Sequence, residues 1–136
     1  MPHPEFLYWD ASAVISLLVA DIHTSHARRA LRPTAHHFVS SLGIAEVLAV
    51  LARAERLPQQ RAFVQQVHEG FWHQTHLAPS LKSLAALARR HTLRGADLWH
   101  LGAALALRKE LPGLVIITFD KSLAQAARHE AMLLSD

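Results

Sequence analysis

Two apolar runs near opposite ends of the chain, FLYW at 6–9 and LVIITF at 114–119, place aromatic and β-branched residues on consecutive positions. Uninterrupted apolar runs of this kind suit parallel strands covered on both faces. Each leads directly into an acid, Asp10 or Asp120, and then into helical spacing, ASAVISLLVA and KSLAQAARH. HHFVSS at 36–41 is another strand pattern. Between these runs, HTSHARRAL predicts a short helix after a loop at Asp21, and LGIAEVLAVLARAE has the three- and four-residue apolar spacing of a longer one. Pro58 fits the first turn of a helix over PQQRAFVQQVHEGFWH, where proline sacrifices no internal hydrogen bond. HLA at 76–78 predicts a brief strand, and Ser80 has the small hydroxyl of a cap on the next helix. Gly95 interrupts that pattern before ADLWHLGAALALRKEL resumes it, Pro112 and Gly113 end it, and MLLS at 132–135 follows the last helix. Strands alternating with helices predict an α/β fold, a central parallel sheet with right-handed crossovers.

A chain of 136 residues is long enough for one domain with a real core, and a single domain over 1–136 is expected. With no cysteine, disulfide frameworks and thiolate metal sites are excluded. The apolar stretch from Phe6 to Ala20 has no Lys or Arg ahead of it and carries Asp10 inside it. It also falls short of the roughly 18 apolar residues of a membrane span. A soluble, cytoplasmic protein with no membrane partner is therefore the expectation. The formal charge is +3, with arginines grouped at Arg28, Arg29, Arg32 and at Arg89, Arg90, Arg94. Such groups suit phosphate contacts, and equally an ordinary solvated helix surface.

Most of the acids lie at the termini, in loops or beside basic residues. Asp10, Glu46, Asp97 and Asp120 instead lie in apolar settings: FLYWD, GIAEVLAV, GADLWHLGAAL and VIITFD. A lone charge beside a core is costly. Asp10 and Asp120 both fall where a strand hands over to a helix, at the carboxyl end of a parallel strand, where open α/β sheets bind ligands. If the two strands are neighbours, the two acids meet. Asp97 opens a helix, where the dipole favours negative charge, so a plain cap explains it if taken alone. Gathered together, such acids repel: two unit charges about 4 Å apart interact by roughly 4 kcal/mol at an effective dielectric of 20. A divalent cation removes that conflict, and an all-oxygen donor set favours Mg²⁺ or Mn²⁺ over zinc. Such a site suits phosphodiester hydrolysis.

DAS near the start, SSLGIAE, ADLWHLGAAL and TFDKSLAQAA, in that order and spacing, resemble a PIN-domain ribonuclease, most closely the VapC-type toxins of bacterial toxin–antitoxin pairs. The resemblance implies a PIN-like three-layer sandwich and a metal-dependent endoribonuclease using Mg²⁺ or Mn²⁺, with Asp10, Glu46, Asp97 and Asp120 as its catalytic and metal-holding acids. It also implies an RNA substrate that is structured or stable, a cognate antitoxin protein as partner, and a homodimer. Ser12 and Thr118 match hydroxyl positions of the family, either hydrogen-bonding carboxylates and water or capping backbone groups. His100 matches a frequent histidine and is assigned to packing rather than proton transfer. Gly43 replaces a hydroxyl residue frequent in relatives, and Ala131 a glycine that often follows the last helix.

Three other readings compete. HEGFWH resembles the zinc motif HExxH, but His68 and His73 are five residues apart, roughly 140° around a helix, and cannot bind one ion from one face. HTSH and HQTH have tighter spacing but read as surface histidines. An aspartyl phosphatase lacks, in DASAV, the second acid two positions after the first. A non-catalytic RNA-binding or partner-binding module would share the basic surface and apolar helices, but has no use for all four acids.

Overall fold

The computed structural model describes residues 3–134. Its elements run β1 (Phe6–Trp9), α1 (Ala11–Leu18), α2 (Thr24–Ala30), β2 (His36–Ser40), α3 (Ser41–Arg53), α4 (Leu57–His68), β3 (Trp72–Thr75), α5 (Leu81–Arg90), α6 (Gly95–Glu110), β4 (Val115–Ile117) and α7 (Lys121–His129). The strands form one parallel sheet in the order β3-β2-β1-β4. The chain builds outward from β1 on one side and then crosses to the other, which leaves a crevice at the carboxyl ends of β1 and β4.

Alternation along the strands sorts the core into two layers. Leu7, Trp9 and Val39 pack with Ala13, Val47, Leu51 and Phe63 on one face. Tyr8 and Ile116 pack with Leu101, Ala104 and Leu123 on the other. Helices therefore cover both faces, α1 to α4 against one and α5 to α7 against the other, giving the expected three-layer α/β sandwich. No helix among the described residues is long and apolar enough to cross a membrane.

The third strand corrects the sequence reading. HLA forms no strand, and the helix expected to reach His73 stops at His68. Gly70, at φ +82, takes the left-handed position after α4, and the Gly70 and Phe71 amides bond back to the carbonyls of Val67 and Gln66. Trp72 then turns inward, buried, with its indole N–H on Gln66 Oε1 at 2.9 Å, so WHQT pairs with β2. His68 and His73 thus share no helix at all. MLL of the expected MLLS runs beside β4 through the bridge Ile116–Leu133, while Ser135 lies outside the described residues. Trp72 belongs to the core on one face of the sheet, and the partly buried Trp99 packs against the core on the other.

The same helix stop recurs after α7, where Met132 N–H reaches Ala127 O at 2.8 Å and Ala131 holds φ 57. A side chain in that region costs roughly 1–2 kcal/mol. Against this stands the extra freedom of glycine in the unfolded chain, about 0.4–1 kcal/mol. Ala131→Gly is accordingly expected to stabilise the protein by about 0.5–1 kcal/mol, read as a higher urea midpoint at unchanged slope.

His37 links β1 to β2. Trp9 Nε1–H can only donate, so His37 Nδ1 accepts at 3.0 Å, and the imidazole proton sits on Nε2, facing the Arg32 carbonyl at 3.3 Å. Burial depresses the His37 pKa, with His73 and His36 adding to it and the Arg32 carbonyl opposing. The unfolded chain takes up this proton near the ordinary value of about 6.5 while the folded chain resists. Stability should therefore fall as pH drops below that value, down to the depressed folded pKa. The decline in melting temperature with acidification should be shallower in His37→Gln than in wild type.

Candidate active site

Pairing of β1 with β4 sets Trp9 opposite Ile117 and so brings the acids that follow each strand together. Both also cap helices. Asp10 Oδ1 accepts from the Ala13 amide at 3.0 Å, and Asp120 Oδ1 from the Leu123 amide at 2.9 Å. Thr118 Oγ1 donates to Asp10 Oδ2 and accepts from the Asp120 amide at 3.1 Å. Ser12 Oγ donates to Asp10 Oδ1 at 2.7 Å and accepts from the Phe119 amide at 3.0 Å. The two hydroxyls thus do both things that stood as alternatives: each satisfies a backbone amide and a carboxylate oxygen at once. Asp10 is only 4% exposed. Burial pushes its carboxyl pKa up, against the hydrogen bonds from Thr118, Ser12 and Ala13.

Glu46 reaches the same end of the sheet from the middle of α3. Its Oε1 lies 2.6 Å from His100 Nε2, and His100 Nδ1 lies 2.7 Å from the Tyr8 hydroxyl. Burial raises the Tyr8 pKa well above the tyrosine range, so the phenol keeps its proton beside Nδ1. The carboxylate can only accept, so His100 Nε2–H donates to Glu46. His100 is buried, as a packing role requires, but packing alone does not describe a ring with both nitrogens engaged. Strand alternation points Tyr8 toward α6; no local pattern announces its role. Ser40 caps α3 by accepting from the Gly43 amide at 3.0 Å, so the glycine costs no cap. A Cβ at Gly43 would lie 3.3 Å from Ser40 Oγ and 3.6 Å from His100 Cε1.

Asp97 lies in the first turn of α6, whose N-cap is Arg94. Its carboxyl pKa is raised, by burial first and then by the neighbouring carboxylates of Asp120 and Glu46, with Arg94 and His100 opposing. Arg94 bridges two acids, its Nε 3.9 Å from Asp97 Oδ2 and its Nη2 3.5 Å from Asp120 Oδ2. That guanidinium side chain is 85% exposed, so it screens the pair weakly. The site thereby joins all four predicted acids in one connected arrangement: Asp10 to Thr118 to Asp120, across Arg94 to Asp97, and one helical turn on through His100 to Glu46. The sequence carries no sign of Tyr8, and it offers Arg94 only as part of a basic group suited to phosphate contacts, not as a partner of Asp97 and Asp120. Of the other grouped arginines, Arg28, Arg29, Arg89 and Arg90 occupy the last turns of α2 and α5, where they complement helix dipoles, and Arg32 follows the end of α2.

The donors are carboxylate and hydroxyl oxygens, the set a hard divalent cation takes. Among the described residues, the group of three acid or histidine donor atoms lying within 4.8 Å of one another is His91, His129 and Glu130, not the acidic centre. The four acids are therefore spread more widely than a closed cage. This suits a cation that keeps waters and phosphate oxygens among its ligands, as Mg²⁺ does.

The chain sets Asp10 and Asp120 after adjacent parallel strands, and it matches the PIN domain over residues 7–129. It belongs to the PIN-domain family. Within that family it is similar to Ribonuclease VapC45 of Mycobacterium tuberculosis (strain CDC 1551 / Oshkosh), with 36% identity over 129 residues, 89% of this chain and 88% of the relative. Among solved structures it resembles Mycobacterium tuberculosis VapC20, described as a sarcin-ricin loop cleaving toxin, at TM-score 0.64 and 16% identity, covering 88% of this chain and 94% of that one. A toxin–antitoxin complex from Klebsiella pneumoniae matches at TM-score 0.62 and 20% identity, covering 87% of this chain and 90% of that chain. At such identities the structural matches bear on the fold.

Proposed function

We propose that this protein is a metal-dependent endoribonuclease, the toxin of a toxin–antitoxin pair, with Asp10, Glu46, Asp97 and Asp120 holding Mg²⁺ or Mn²⁺. The observation that carries the reading is geometric: Asp97 and Asp120 share the exposed Arg94, 3.9 Å and 3.5 Å away, and burial together with the Asp120 charge raises the Asp97 carboxyl pKa there. A site that strains its own acids in this way is built for a stronger cation than an exposed arginine. A divalent ion bound there supplies the charge that offsets the carboxylates and the phosphate, and it acidifies a water for attack.

The chain's own residues divide the work. Ser12, Thr118 and the Ala13 amide fix Asp10 so that its carboxylate cannot rotate. His100, braced by Tyr8, orients Glu46 and holds a proton at Nε2 beside its carboxylate. Arg94, 85% exposed beside Asp97 and Asp120, is placed to meet an RNA phosphate at the rim of the site. The names of the relatives support RNA as substrate and an antitoxin protein as partner. The reading extends to structured RNA, a homodimer and the cytoplasm, following the resemblance to VapC toxins.

The test is cleavage of a pool of structured RNA in Mg²⁺, followed by chelation and restoration with Mn²⁺. Cutting that stops on chelation, returns with Mn²⁺ and is absent in Glu46→Gln supports the proposal. RNA that is retarded but stays full-length at every metal concentration would instead identify a binding module.

A further inference from the structure

The ends of α5 and α7 carry a cluster that the acidic centre does not use. His91 caps α5, His129 is the last residue of α7, and Glu130 caps α7. His91 Nε2 lies 2.7 Å and His129 Nδ1 3.8 Å from the same oxygen, Glu130 Oε2, and one donor atom from each residue falls within 4.8 Å of the others. The two imidazoles stand nearly perpendicular, 81° apart with centroids 5.2 Å apart, so both present an edge nitrogen to one carboxylate.

We propose that His91, His129 and Glu130 form a second metal site, distinct from the acidic centre and specific for zinc or a similar late first-row cation. Two imidazole nitrogens with one carboxylate make a donor set that suits zinc and not magnesium, and three protein ligands leave a fourth position for water. Zinc bonds of about 2.0–2.2 Å in a tetrahedron set ligand atoms roughly 3.3 Å apart. The separations of 2.7 and 3.8 Å bracket that spacing. Adjusting these two by about half an ångström, and drawing the His91 and His129 donor atoms in from a separation within 4.8 Å, admits the ion, which replaces the proton between His91 and Glu130.

The charges around the site act in both directions, the helix ends favouring a cation and Arg90 opposing it. The site lies at the carboxyl ends of two helices, where the dipoles favour a cation. Arg108 donates to the Glu130 carbonyl at 2.9 Å and Arg90 Nη2 reaches Oε1 at 3.3 Å, anchoring the residue from outside the proposed ligand shell. Arg90 also approaches Oε2, at 3.3 Å through both Nε and Nη2, a long contact that a closer ion displaces. Burial opposes ionisation of Glu130, but the His91 hydrogen bond and the Arg90 charge outweigh it and hold the pKa below its ordinary value. His129 is 69% exposed, which gives the ion a way in.

The site shares no ligand with the acidic centre, so it stands or falls independently of the nuclease reading. Zinc is titrated into the full-length protein in excess Mg²⁺ against a chromophoric chelator, with His129→Ala and Asp97→Asn in parallel. Because His129 is mostly exposed, its truncation leaves the fold intact. The expected result is one zinc equivalent in wild type, accompanied by a rise in melting temperature. Asp97→Asn should keep it, and His129→Ala should weaken it by more than about tenfold, beyond the lower bound for losing a mere outer partner. Zinc uptake that is absent in wild type, or equal in wild type and His129→Ala, overturns the proposal. Uptake lost only in Asp97→Asn overturns it as well, by assigning the ion to the acidic centre.

Discussion

Asp97→Asn is expected to abolish RNA cleavage, by at least about 100-fold, the upper end of what losing an outer metal-site partner costs, while leaving the metal-free protein as stable as wild type or more so. The two halves of this result have one cause. Asp97 carries a raised pKa because its charged form is buried beside Asp120 and Glu46. A carboxyl whose folded pKa lies above the unfolded value favours folding only while protonated, and that advantage is lost as pH rises through the folded pKa. At neutral pH the charge is therefore a cost, and the amide removes it. For a chain of this size each kcal/mol of relief corresponds to roughly 3–5 °C in melting temperature. Thermal melts in chelator, paired with cleavage assays in Mg²⁺, check both halves. A large fall in melting temperature would mark Asp97 as a structural residue of α6.

Thr118→Val should act in the opposite sense on stability. The substitution keeps the shape but removes the donor to Asp10 Oδ2 and the acceptor for the Asp120 amide, both at a nearly buried position. Leaving a buried carboxylate oxygen and an amide without these partners costs about 2–4 kcal/mol. The loss should depend on pH. Without the Thr118 donor the Asp10 pKa rises further, so the deficit is largest at neutral pH and shrinks in acid, where Asp10 becomes protonated. Urea unfolding at two pH values measures this, and Thr118→Ser, which keeps the hydroxyl, should recover most of the loss.

The parts of this structure that were legible in the chain are those written locally. FLYWD and VIITFD announce strands that end on acids, but that the first and last strands are neighbours was left open by the sequence and is set by the order β3-β2-β1-β4. Glu46 stood out because an acid on an apolar helix face is anomalous wherever that helix packs. β3 was misplaced for a reason of the same kind. Pro58 to His73 holds helical spacing almost to its end, and only the left-handed turn at Gly70 and the burial of Trp72 stop it. The partnership of Tyr8, His100 and Glu46 and the reach of Arg94 were not legible, because each depends on side chains meeting across 92, 54 and 26 positions of chain. His91 and Glu130, 39 positions apart, belong to the same class.

Binding of Mn²⁺ to the RNA-free protein tests the central claim most directly, because it needs no knowledge of the substrate. Wild type should bind Mn²⁺ in competition with Mg²⁺, and Asp10→Asn, Glu46→Gln, Asp97→Asn and Asp120→Asn should each weaken that binding while remaining folded. Equal Mn²⁺ affinity in wild type and all four variants would contradict the account, since acids that hold no ion cannot share the site assigned to them.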